Sequence, residues 1–181
     1  MSIAIYRKSA DGKTASADAG KKGVVEPNHL SAPRNGQVYA QYPVVDTITE
    51  LENGMFVKYD AANGNLNTDK AMTGPWYMVF NEEKLYDERK QSHRDYSMVA
   101  DDFYGGKMVP RIFAVQPGDI FTTNTLADAA DYAVGNKLYP GTDGILAKSN
   151  DAKAFAEVIK EYTLPDGVTP GVKIRIIADA E

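Results

Sequence analysis

The sequence predicts a mainly β protein made of two related small β-units, preceded by an extended N-terminal arm and interrupted by a long charged insertion. Three observations predict it. A turn-and-strand phrase occurs twice, at Gly54–Leu66 and at Gly135–Leu146. Each copy has a Gly, a short strand carrying a Lys and a Tyr, an Asn-Gly or Asp-Gly turn (Asn63-Gly64, Asp143-Gly144), and an apolar restart. Such dipeptides between β-prone runs are the strongest short-range hairpin signal, because both turn positions accept φ > 0. Second, short runs rich in β-branched and aromatic residues recur between Gly, Pro, Asn and Asp clusters. Third, residues 8–23 are small, polar and low in complexity, and cannot bury enough apolar surface to fold alone.

The elements follow in order. Residues 1–37 read as the arm, with Pro27, Pro33 and Gly36 extending the irregular stretch. Residues 38–124 form the first unit. Its strands are expected at Val38–Tyr42, Val44–Ile48, Met55–Asp60, Trp76–Asn81, Pro110–Val115 and Asp119–Thr123. The insertion, residues 82–109, is highly charged and has few apolar anchors, so it is expected outside the core as a short surface helix or ordered loop. Residues 125–181 form the second unit, with Leu126–Ala133 as one or two helical turns. Strands are expected there at Lys137–Tyr139, Ile145–Ala147, Phe155–Thr163 and Val172–Ala178. Phe155, Val158, Ile159 and Tyr162 also fit helical spacing. The strand reading is preferred because a Pro- and Gly-rich loop follows, and then Val172–Ile176 alternates with period two.

Composition excludes several functions. The 181 residues hold no Cys, which removes disulfides, thiolate catalysis and Cys-ligated metals and suits a reducing cytoplasm. No run of 18 apolar residues marks a membrane helix, and Met1–Lys8 lacks the apolar centre of a signal peptide. Residues 1–37 carry six basic and three acidic residues; the remainder carries 14 basic and 22 acidic, a body that repels phosphates. No nucleic-acid or membrane partner is therefore expected. Arg7, Lys8, Lys21, Lys22 and Arg34 are the arm residues suited to an acidic neighbour.

No catalytic constellation stands out. His93-Arg94-Asp95 copies the start of a kinase catalytic loop, but Ala100 stands where the loop needs Asn. His29 and His93 lie 64 residues apart, and the sequence after Asp60 lacks the alternating oxygen ligands of a calcium loop. Gly105-Gly106-Lys107 lacks the upstream Gly and the Ser/Thr of a phosphate loop. No cofactor, no metal and no enzymatic activity are expected. The aromatic set is rich in Tyr, a residue favoured at interfaces. Within the insertion, Tyr96, Phe103 and Tyr104 are candidate contact anchors, with Arg89 and Arg94 beside them.

The two hairpin phrases, the strand Pro110–Val115 followed by Gln116-Pro117-Gly118-Asp119, and the leader together resemble the decoration, or cement, proteins that coat tailed-bacteriophage heads. The resemblance covers residues 45–181. It implies small β-barrel or β-tulip modules, no catalysis, an ordered arm, and frequent trimers. It further implies a non-enzymatic structural protein of the virion, made in the host bacterial cytoplasm and seated on the capsid exterior. There it would clamp neighbouring subunits of the major capsid protein as a homo-oligomer. The arm and insertion residues named above would be its partner-binding groups. The insertion departs from the smallest family members. Two rival readings are another virion component, such as a tail or fibre-base protein, and a carbohydrate-binding β-module.

Overall fold

The computed structural model describes residues 3–4, 23–31, 38–81, 97–127, 131–141, 143–149, 153–164 and 170–180. Its strands are β1 (Ile3–Ala4), β2 (Val25–His29), β3 (Val38–Ala40), β4 (Glu50–Glu52), β5 (Phe56–Asp60), β6 (Asn65–Asn67), β7 (Tyr77–Val79), β8 (Ser97–Val99), β9 (Ile112–Ala114), β10 (Ile120–Thr123), β11 (Asp131–Tyr132), β12 (Lys137–Pro140), β13 (Leu146–Lys148), β14 (Ala156–Thr163) and β15 (Pro170–Ile176). Two 3-10 turns lie at Ala100–Asp102 and Tyr104–Gly106. The fold is mainly β. A six-stranded sheet has the order β13-β12-β14-β15-β10-β2, and a five-stranded sheet the order β3-β9-β7-β5-β6. Both are open, so neither unit forms the expected barrel. Each sheet buries a face against the other instead of closing around its own interior.

The repeated phrase is the visible part of a longer repeat in register. In the first unit Phe56 pairs with Met78, and Met78 with Phe113. In the second, Lys137 pairs with Glu157, and Glu157 with Arg175. The neighbouring rows also match: Val57–Tyr77–Ala114 corresponds to Leu138–Ala156–Ile176. Turn bonds repeat too. Gly54 N–H donates to Val79 O and Val79 N–H to Met55 O; Gly135 N–H donates to Val158 O and Val158 N–H to Asn136 O. Two parallel bridges, Val44 with Leu66 and Leu126 with Leu146, occupy equivalent places.

This register corrects the unit boundary. β10 pairs with β15 as β3 pairs with β9, so residues 119–124 open the second unit rather than close the first. It also corrects the arm. β2 lies on the far edge of β10, and Val25 is fully buried. Val44–Ile48 is a bridge and a turn instead of a strand, because Val44 alone meets Leu66 before the chain bends at Asp46. In Leu126–Ala133 the described part holds a bridge and β11, not helix, since Asp131 and Tyr132 pair with β1. β14 is the preferred strand, paired with β15 along most of its length.

The five-stranded sheet is buried on both faces, and its strands alternate accordingly. Phe56, Met78, Phe80, Phe113 and Val115 join the cluster shared with the six-stranded sheet. Val57, Tyr77, Val79 and Ile112 face a second cluster with Leu51, Met98 and Met108. Met98 and Met108 come from the insertion, which was expected outside the core. β8 pairs with β4, and Val44 N–H donates to Met108 O, so the described second half of the insertion covers the sheet's outer face.

Gly64 and Gly144 hold the same place in the two hairpins, and both have positive φ, +65° and +78°. Their surroundings differ. A Cβ on Gly64 meets nothing within 4 Å, whereas one on Gly144 lies 2.2 Å from Phe56 O. Gly64→Ala should therefore cost only the left-handed penalty of about 1–2 kcal/mol. Gly144→Ala should cost clearly more, because backbone must move. Paired urea unfolding curves check this, and equal midpoints would refute the close approach of Gly144 to Phe56.

Candidate interaction site

The seam between the units is held by Trp76, which enters β7 from the loop after β6. Trp76 is 1% exposed, and its Nε1 donates to Tyr139 Oη at 3.1 Å. The rings meet edge-on at 6.0 Å and 89°. Its backbone N–H donates to Ala180 O at 2.6 Å, tying the end of the second unit to the first. Lys58, on β5, points into the same place. Its side chain is buried, with Nζ 4.8 Å from the Trp76 ring centroid and donating to Met72 O at 2.8 Å. Burial first, and Lys153 second, push the Lys58 pKa below its ordinary value, against an opposing pull from Asp69.

Beside this buried ammonium a cleft of about 510 Å³ opens between the units. Its rim carries Lys70, Lys148 and Lys153, and its floor includes Tyr139, Pro140 and Ala147. The three lysines come from separate segments: the loop after β6, the end of β13, and the loop before β14. All three are exposed. Lys148 also stands over the Tyr132 ring at 5.5 Å. Among the described residues, none of the lining groups is acidic.

A second charged feature lies on the outer face of the six-stranded sheet. Glu157 accepts from Lys137 Nζ at 2.6 Å and from the Arg175 guanidinium. The Lys137 bond first, and the Arg175 bond second, hold its carboxyl below the ordinary range. Asp60 is lowered as well, first by the Asn63 side-chain amide and then by backbone N–H groups of the hairpin turn. Asp60 thus caps its turn. Among the described residues no cluster of three or more His, Asp and Glu could hold a metal ion.

Of the residues expected to bind a partner, Arg7, Lys8, Lys21, Lys22, Arg34, Arg89, Arg94 and Tyr96 lie outside the described residues. The backbone of Tyr104 sits in a 3-10 turn. Phe103 is half-buried and packs on the outer cluster of the five-stranded sheet, so part of its ring anchors the insertion. The lysine cleft was not foreseen. The signal was partly present: Lys58 sits mid-strand between the apolar Val57 and Tyr59.

Lys58 gives a pH test. With its folded pKa below 10.5, the native state sheds this proton before the unfolded chain does. Between the lowered pKa and the ordinary one the unfolded state binds more protons, so stability from this group rises with pH. Replacing Lys58 by Met removes the penalty and keeps the side-chain length. The stability of the parent chain relative to Lys58→Met should climb as pH rises toward 10.5. Urea titrations of both proteins across that range measure it; a flat difference would contradict the assignment.

No protein-family model, curated protein or solved structure matches this chain.

Proposed function

We propose that the chain is a non-enzymatic structural protein that binds the exterior of a tailed-bacteriophage capsid and stabilises it by bridging neighbouring major capsid subunits. The observation that carries this reading is the register-matched duplication. The phrases on which the resemblance rests occupy the same place in two copies of one β-unit. Further support comes from how the polar features are used. Asp60 caps a turn, Glu157 closes an ion row, and the lysines gather at the seam between units, which suits a protein built for fitting against a neighbour. The carbohydrate-binding reading needs an exposed aromatic platform, and the sole Trp is buried in the seam.

A protein that binds an assembled shell but not its separated subunits shifts the shell toward assembly by linkage. The chain should co-sediment with particles of its cognate major capsid protein, and particles stripped of it should lose integrity at lower temperature. Adding the protein back should restore the transition. Absence from the particle pellet, or identical melting with and without the protein, would refute the proposal. Replacing Arg7, Lys8, Lys21 and Lys22 by Gln leaves β1 and β2 in place, so the variant should remain folded. It should occupy particles more weakly, since a tethered arm adds avidity.

A further inference from the structure

We infer that the hairpin turn of the first unit, residues 60–65, and the Tyr42–Tyr59 pair beside it form the surface through which the chain seats on a major capsid subunit, taking an extended segment of that subunit against the turn. The inference rests on the binding role proposed above and deepens it. The chain itself holds one example of the contact. The second unit reaches out with its own hairpin turn, whose Gly144 O accepts the N–H of Phe56 on β5. It also uses the two residues before its parallel bridge: Asn124 Oδ1 accepts the Val24 N–H, and Thr125 Oγ1 donates to Asn53 O. The matched register puts Gly64, Tyr42 and Pro43 at those positions in the first unit. There they stand at the surface. Ala61, Ala62 and Asn63 are exposed, Tyr42, Pro43 and Tyr59 are half-buried, and a Cβ on Gly64 meets nothing within 4 Å. The middle of the same end is closed by Met98, Met108 and Phe103, so its rim is what faces a partner.

The rim is ordered before any partner arrives. The Tyr42 and Tyr59 rings stack at 4.2 Å and 26°. Tyrosine at an interface buries an apolar ring, keeps a hydroxyl for hydrogen bonding, and loses little side-chain entropy. The turn is equally fixed. Asp60 accepts the Ala62 N–H at 2.9 Å, the Asn63 N–H at 3.3 Å and the Asn63 side-chain amide at 2.6 Å, and its carbonyl accepts the Gly64 N–H at 2.8 Å. A surface already ordered gives up less freedom on binding. Its tip carries two alanines, so a partner's backbone can come close, as β5 comes close to Gly144 in the seam. The Asn63 amide keeps the Asp60 carboxyl ionised at neutral pH, which disfavours a phosphate-bearing ligand at the same spot.

Particle sedimentation at limiting chain concentration tests the surface. Ala62→Arg puts a bulky side chain on the exposed tip and keeps the backbone N–H that Asp60 holds. It should lower occupancy of particles of the cognate major capsid protein by about tenfold or more. Tyr42→Ala should lower it too. Ala62→Ser, which keeps the tip small, and Lys160→Glu, an exposed change on β14, should bind like the parent. Amide NMR dispersion equal to the parent's verifies the fold of each variant. If the parent chain pellets and Ala62→Arg pellets equally well, or Lys160→Glu loses as much, the turn proposal fails and the capsid reading survives. If the parent chain itself stays in the supernatant, the capsid reading fails, and the assignment of this surface to a capsid subunit fails with it.

Discussion

The structure depends on one close approach: the hairpin turn of the second unit lies against β5 of the first. Phe56 N–H donates to Gly144 O at 2.7 Å, and Phe56 O stands where a Gly144 side chain would be. Only a residue without Cβ, at φ +78°, can bring two backbones this near. A second contact of the same kind joins Gly23, Asn53 and Thr125. Thr125 Oγ1 donates to Asn53 O at 2.6 Å, and a Cβ on Gly23 would meet that carbonyl oxygen at 2.4 Å. Together they set how the two sheets sit, and the shared cluster fills what lies between.

The matched register shows that this contact is not a symmetric one. Phe56, Met78 and Phe113 form the row with which the first unit enters the shared cluster. The same row in the second unit is Lys137, Glu157 and Arg175, turned outward and paired by charge. Conversely, Leu138, Ala156 and Ile176 of the second unit receive the first, whereas their equivalents Val57, Tyr77 and Ala114 face the insertion. The units therefore stack back to front, a heterologous contact that would propagate if its ends were alike. Here the ends differ. Met98, Met108 and Phe103 cover one, and an ion row occupies the other. Burial of an apolar side chain contributes about 1.5–3 kcal/mol, while an exposed ion pair adds about 1 kcal/mol or less. The ion row therefore serves less to hold the sheet together than to keep its outer face wet.

Much of this was legible in the sequence, and for identifiable reasons. The hairpins were readable because Asn63-Gly64 and Asp143-Gly144 impose turn geometry locally. β14 was readable against its helical rival because the alternation of its partner, Val172–Ile176, is unambiguous. β10 was assigned to the wrong unit because chain order was taken as proximity, and its partner β15 lies some fifty residues on. β2 was missed because Val25-Glu26-Pro27-Asn28-His29 has a single strongly buried apolar residue and a Pro. What holds it is polar and distant. Val24 N–H donates to the Asn124 side chain, Thr123 Oγ1 donates to Val24 O, and Thr122 Oγ1 donates to Asn28. The lysine cleft was illegible for the same reason, since its walls come from both units and exist only at the seam.

The N-terminal segment and the insertion, so unlike in sequence, have one structural task in common. β4 and β11 are equivalent strands, with Leu51 and Tyr132 at matching positions, both fully buried. β4 is paired by β8, from the insertion of its own unit; β11 is paired by β1, from the far end of the chain. Each unit thus needs an added strand beside the same element, and the chain supplies it by two different routes. An unpaired strand edge leaves backbone groups without partners and invites a foreign strand. The local insertion closes its edge over a loop of about forty-five residues, whereas β1 and β11 are separated by more than 120. Loop-closure entropy rises only slowly with length, so the longer route costs little extra. Its consequence is architectural. The N-terminal segment is stitched twice into the second unit, with β2 at the edge of its sheet and β1 beside β11, and it cannot be divided from the body at residue 37.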